Sequence, residues 1–197
     1  MRSTTLVVPG LHGSGPGHWQ TWIASQIADA MRVEQTDWHQ PVLSRWAGAV
    51  VQAIDRTKGD VFLVAHSFGS LAAVVAAHRR VDRVAGVLLV APADPARFSA
   101  MGLRDSFAAK AVELPHWPLG VPSIVVASGN DPWTKLTTAA FWADRWGSRL
   151  IALDGVGHIN EESGHGPWPL GLDLYHSLRA VQSHDPLGSL TAESAPV

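Results

Sequence analysis

No cysteine occurs anywhere in the chain, which excludes disulfides, thiolate-bound metals and a cysteine nucleophile. Long apolar runs are lacking too, and none reaches the roughly 18 residues of a membrane-spanning helix. The run that follows Met1-Arg2-Ser3-Thr4-Thr5 meets Pro9-Gly10 after only a few residues. That is too short for a signal-peptide core, so a soluble cytoplasmic protein is expected. There is no long basic run. Fifteen lysines and arginines stand against 17 aspartates and glutamates, a balance that argues against nucleic acid or an anionic membrane as partner. The glycine-rich segment after Pro9 lacks a Gly-Lys-Ser/Thr ending, and Gly-x-Gly-x-x-Gly is absent, so no nucleotide site is expected. His158 and His165 flank Glu161 and Glu162, but no His-Glu-x-x-His motif is present, and neither a metal nor another cofactor is expected.

What is present is a chain of 197 residues, 46% of them apolar, enough for one domain with a sizeable core. That domain is expected over residues 1–184, with a Ser/Pro/Ala-containing tail over 185–197 that frays. Tryptophan is abundant, nine against one tyrosine, and histidine occurs ten times. Most of the tryptophans are expected to be core packing.

Apolar patterning predicts strands at Thr4–Val8, Arg32–Gln35, Val61–Ala65, Val84–Ala91, Ser123–Ala127 and Arg149–Leu153. Helical spacing predicts helices at His18–Met31, from Pro41 onward through Trp46, Val50, Ala53 and Ile54, and behind Ser67 to about Arg79. Two more follow at Thr134–Trp146 and about Pro169–Gln182. Residues 92–120 carry four prolines and read as irregular, with room for short helices only. Strands alternating with helices imply an α/β fold, parallel pairing and right-handed crossovers.

Ala65-His66-Ser67-Phe68-Gly69 lies directly between a predicted strand and a predicted helix. A serine on such a corner has a strained backbone and an exposed hydroxyl, and small residues two before and two after let strand and helix touch. Asp131 in Gly129-Asn130-Asp131-Pro132-Trp133 and His158 in Gly155-Val156-Gly157-His158-Ile159-Asn160 each follow another strand. All three therefore fall at the carboxyl edge of the sheet, where open α/β folds place ligands. The order Ser, Asp, His is that of the α/β-hydrolases. In this reading Ser67 is the nucleophile, His158 the base that takes its proton, and Asp131 the group that orients the imidazole. Asp94 and Asp154 are rivals for the acid, and His165 and His116 for the base. The amide of Phe68 is one expected oxyanion donor; the other is Leu11, with His12 the competing assignment.

The chain resembles the small, lidless serine hydrolase family of the α/β-hydrolase superfamily that includes retinoblastoma-binding protein 9 and YdeN-type proteins. The resemblance rests on Val8-Pro9-Gly10 with Gly15-Pro16-Gly17-His18-Trp19, on the Ser67 pentapeptide, and on Ser128-Gly129-Asn130-Asp131-Pro132. It rests most of all on Gly157-His158-Ile159-Asn160 followed by Ser163-Gly164-His165-Gly166-Pro167-Trp168-Pro169. It implies the same three catalytic roles and a compact, mostly parallel sheet of about six strands with helices on both faces. A retinoblastoma-type partner is not implied, because Leu-x-Cys-x-Glu needs a cysteine.

The expected activity is hydrolysis of a small carboxylic ester, or an amide, through an acyl-Ser67 intermediate. His12, Trp19, Trp38, Trp133 and Ile159 are candidates for the substrate pocket beside Leu11 and Phe68. An aminopeptidase-like amide hydrolase is the alternative, with Asp37 or Glu161 to hold a free amine. A binding protein that keeps the fold without turnover is the other.

Overall fold

The computed structural model describes residues 3–104 and 109–182. In chain order the elements are β1 (Ser3–Val8), α1 (Trp19–Gln26), β2 (Ala30–Arg32), α2 (Leu43–Arg56), β3 (Asp60–His66), α3 (Phe68–Arg79) and β4 (Val84–Val90). There follow β5 (Phe98–Ser99), β6 (Gly102–Leu103), β7 (Ser123–Ser128), α4 (Leu136–Trp146), β8 (Arg149–Leu153) and α5 (Pro169–Gln182). Six of these strands form one parallel sheet in the order β2-β1-β3-β4-β7-β8. The chain leaves β1 first to one side and then to the other, so the topological switch point lies between β1 and β3.

Burial explains the layering. Every residue of β4 and β7 is buried, as a central strand covered on both faces requires. Alternation along β3 sends Leu63 and Ala65 into a core with α2, α3 and Trp146 of α4, and Phe62 and Val64 into a second core with α1 and α5. The second core is closed at depth by a hydrogen bond between the Thr5 and Tyr175 hydroxyls at 2.5 Å. No helix among the described residues is long and apolar enough to cross a membrane.

The expected architecture is present, and no large lid is inserted. Three local expectations differ. Helix α1 ends at Gln26, with Ile27 already extended, because Ala30–Arg32 pairs with Thr5–Val7 and edge pairing overrides helical propensity there. The edge strand accordingly precedes, and barely overlaps, the predicted Arg32–Gln35. Among the described residues of 92–120 there is one 3-10 turn, Pro95–Arg97, and a β5–β6 hairpin. The expected tail at 185–197 lies outside the described residues.

The corner between β3 and α3 is tight enough to forbid a side chain. A Cβ on Gly69 would lie 2.3 Å from the Pro9 carbonyl oxygen and 2.6 Å from that of Val8. Gly69→Ala is therefore expected to lower stability by about 1–3 kcal/mol, read as a shift in urea midpoint at constant slope. Gly48→Ala, inside α2 with nothing within 4 Å of its Cβ position, is expected to raise stability by about 1 kcal/mol. Equal effects at both positions would refute the steric account.

Candidate active site

Ser67 occupies φ 53°, ψ −125°, a conformation that costs a non-glycine residue about 1–3 kcal/mol unless its surroundings impose it. They do so on both sides. The Ser67 amide donates to the Val90 carbonyl at 3.0 Å, and the Ala93 amide donates to the Ser67 carbonyl at 3.2 Å. Gly10 is the third support, since a Cβ there would stand 2.8 Å from Ser67 Cβ.

His158 Nε2 lies 2.9 Å from Ser67 Oγ, and His158 Nδ1 lies 2.8 and 3.0 Å from the two Asp131 oxygens. With the ring proton on Nδ1 donated to the carboxylate, Nε2 is free to accept from the serine. The Asp131 side chain is 2% exposed and that of His158 9%, so the pair works largely out of water. Asp131 Oδ1 also accepts from the Trp133 amide at 2.8 Å.

The rivals lie elsewhere. Asp94 caps the Pro95–Arg97 turn by accepting from the Ala96 amide, and Asp154 is exposed. His165 sits by Ser163 and Trp168, and His116 packs on Trp142. Two residues that sequence reasoning passed over tie the Asp131 loop to the His158 loop. Asn130 Oδ1 accepts from the Gly157 amide at 2.7 Å and from Ser128 Oγ, and Ser128 Oγ accepts from the Val156 amide. Their signal was present, as both belong to the Ser128–Pro132 motif.

A cavity of about 510 Å³ opens over Ser67, walled by Leu11, His12, Phe68, Phe98, Leu103 and Trp133, with Arg97, Glu161 and Glu162 also on its wall. The His12 amide is occupied, donating to the Trp38 carbonyl at 2.9 Å. The Phe68 amide is the first of α3, where helical amides have no partner within the helix. Three pocket candidates are corrected. Trp19 and Ile159 are 0% exposed and belong to the core with α1 and α5. Trp38 packs on Trp46 and under Arg32 instead of facing the cavity. Phe98, Arg97 and Leu103 were missed because they come from the aperiodic segment after β4. Among the described residues, no group of three or more His, Asp or Glu is arranged to hold a metal.

Two more imidazoles, His18 and His66, line the cavity. His18 and His66 rings are 4.9 Å apart, and His66 is 4.9 Å from His158. Burial, then the proximity of His158, pushes His18 down from 6.5 to about 4 and holds His66 well below the ordinary histidine value. Neutral His18 also caps α1, its Nδ1 accepting from the Gln20 amide at 3.1 Å.

A family model described as serine hydrolase matches residues 5–177. Among solved structures the chain is similar to a YdeN-like hydrolase from Pectobacterium atrosepticum. The two are 36% identical with a TM-score of 0.80, over 91% of this chain and 92% of that one. It is similar also to the ydeN gene product of B. subtilis, at 19% identity and a TM-score of 0.72, over 91% and 100% of the two chains. Est1E of Butyrivibrio proteoclasticus, solved with ferulic acid bound, shares 14% identity and a TM-score of 0.67 over 92% and 88%. The last two likenesses show the fold alone. No curated protein matches.

The depressed histidines carry a stability prediction. Between pH 6.5 and about 4 the unfolded chain takes up a proton that folded His18 refuses. Its contribution is therefore complete above 6.5 and is lost as pH falls through that window, by about 3 kcal/mol at the acid end. Urea unfolding from pH 7.5 to 4.5 should show this fall, and His18→Gln should flatten it. An unchanged slope in that variant would count against the assignment.

Proposed function

We propose that this chain, which belongs to the serine hydrolase family matched over residues 5–177, cleaves small carboxylic esters through an acyl intermediate on Ser67. The observation that carries the reading is the unbroken chain Ser67 Oγ, His158 Nε2, His158 Nδ1, Asp131. As Ser67 Oγ attacks the ester carbonyl, its proton passes to His158 Nε2, and Asp131 stabilises the imidazolium. The carbonyl oxygen gains the electron pair and is met by the amides of Phe68 and Leu11, each worth roughly 3–4 kcal/mol to such an intermediate. Choosing Leu11 over His12 is supported by the engagement of the His12 amide with Trp38. Collapse expels the alcohol, which takes the proton from His158. Water then attacks the acyl-serine with His158 again as base, releasing the acid and restoring the serine.

The substrate class follows from the cavity. Phe98, Leu103 and Phe68 present an apolar wall beside the nucleophile, suited to a short acyl or aromatic group. Without a large lid, a long lipid chain would stay wet, so a lipase is disfavoured. The expected cytoplasmic location remains part of this proposal. The amide-cleaving alternative is favoured by one observation: Glu161 and Glu162 both line the cavity, where a carboxylate would attract a substrate ammonium. Asp37 is not available for that role, since its carboxylate accepts from the His39 and Gln40 amides outside the cavity.

Fluorophosphonate labelling with peptide mass spectrometry tests the core of the reading. Ser67 should be labelled, and Ser67→Ala should lose both label and turnover of a short p-nitrophenyl ester, roughly a thousandfold or more. A folded wild-type protein that neither labels nor turns over would leave a binding protein with a hydrolase fold. For the leaving group and acyl chemistry, Glu161→Gln/Glu162→Gln should lower the ratio of amine-bearing to neutral substrate turnover by about fivefold. An unmoved ratio would discard the aminopeptidase-like reading.

A further inference from the structure

We infer that Trp19 and His66 are positioning residues for the catalytic histidine, a pair of buried donors that pin two consecutive carbonyls of its loop. The inference rests on the hydrolase reading above. His66 Nε2 donates to the His158 carbonyl at 2.9 Å, and Trp19 Nε1 donates to the Ile159 carbonyl at 2.8 Å. Both bonds are buried, so a lost donor would leave a carbonyl with neither protein nor water to satisfy it.

The loop needs such holding because its backbone is out of its preferred region. Gly157 has φ 62° and Ile159 φ 48°. For a β-branched residue that is a genuine outlier, and it persists only where the surroundings over-determine it. The turn serves a purpose: His158 faces Ser67 while the next side chain, Ile159, is driven wholly into the core. Relaxing it would rotate His158 away from the serine.

The donors themselves are rigid. His66 is the residue immediately before Ser67, so one short stretch of chain fixes the nucleophile and grips the base. Its strand parity, opposite to Ala65, carries it to the face shared with α1. Trp19 opens α1, its amide donating to the His165 carbonyl at 3.0 Å and its ring edge-on to Trp168 at 5.0 Å. His66 in turn meets Trp19 edge-on at 6.0 Å. Burial keeps His66 neutral, so it grips the loop without placing a second positive charge beside the imidazolium formed in catalysis.

Three variants of the full chain test this: Trp19→Phe, which keeps the ring and loses the donor, His66→Leu, and His66→Gln, whose amide nitrogen lies the same number of bonds from Cβ as Nε2. Turnover of a short p-nitrophenyl ester is measured beside the low-field proton resonance of His158 Nδ1–H. Trp19→Phe and His66→Leu should lower kcat about 10- to 100-fold with KM within about twofold, as expected for a base displaced by a fraction of an ångström. Their resonance should shift or broaden, and His66→Gln should recover most of both. Folded variants with wild-type kcat and an unmoved resonance would overturn the inference, as would a loss carried wholly by KM. If His66→Leu does not fold, Trp19→Phe decides alone on the same criteria. A wild-type enzyme without turnover would sink the hydrolase reading instead, and the resonance would still judge the clamp.

Discussion

Three backbones meet at the corner between β3 and α3, and the rest of the site depends on that contact. Gly69 lets the start of α3 lie against the carbonyls of Val8 and Pro9, and Gly10 lets the loop after β1 pass beside Ser67. A methyl group at either place would push β1 and β3 apart at the switch point, the one place where two loops diverge from adjacent strands. The same closeness puts Leu11 and Phe68 on the wall of one cavity with the Ser67 hydroxyl. The strained serine is thus the consequence of a packing solution, held by backbone bonds to Val90 and Ala93.

Electrostatics adds a second constraint. In the proposed mechanism His158 takes the serine proton and becomes a cation among other imidazoles, with the Asp131 carboxylate hydrogen-bonded to its ring. Like charges at ring-contact distance would oppose that step. Burial removes the problem, because His18 and His66 are too poorly solvated to hold protons near neutrality. Each is then free to act through hydrogen bonds, His18 on the Gln20 amide and His66 on the His158 carbonyl.

Hydrophobic patterning made the central strands and the elbow legible, since β4 and the Ile124–Ala127 stretch of β7 are continuous apolar runs that admit one placement. It failed at β2, a three-residue edge strand with two exposed residues, because such a strand is defined by its partner and not by its own pattern. The pocket was less legible for a related reason. Trp19 and Ile159 neighbour functional loops in sequence, but a helix start and a left-handed turn send their side chains inward. Arg97, Phe98 and Leu103 face the cavity from a stretch without periodicity, where sequence neighbours say nothing about direction. Asp131 and His158 escaped this difficulty because each follows a strand end, and strand ends converge by topology.

The motif residues that no rule of catalysis requires acquire a physical reason once these loops are seen together. Gly-His-Trp at 17–19 and the Asn160–Trp168 stretch form one structure. His18 caps α1, Trp19 bonds to Ile159 and abuts Trp168, and Asn160 and Ser163 cap each other reciprocally. A hydrolase with a large lid can assemble part of its geometry when the lid closes over substrate. This fold lacks one, so its loops must already be set before substrate arrives, and preorganised donors act only if they do not have to reorganise. Buried hydrogen bonds to the backbone of the histidine loop supply that rigidity. The triad therefore identifies the chemistry, and the aromatic and capping residues around it explain how so small a domain can hold it in place.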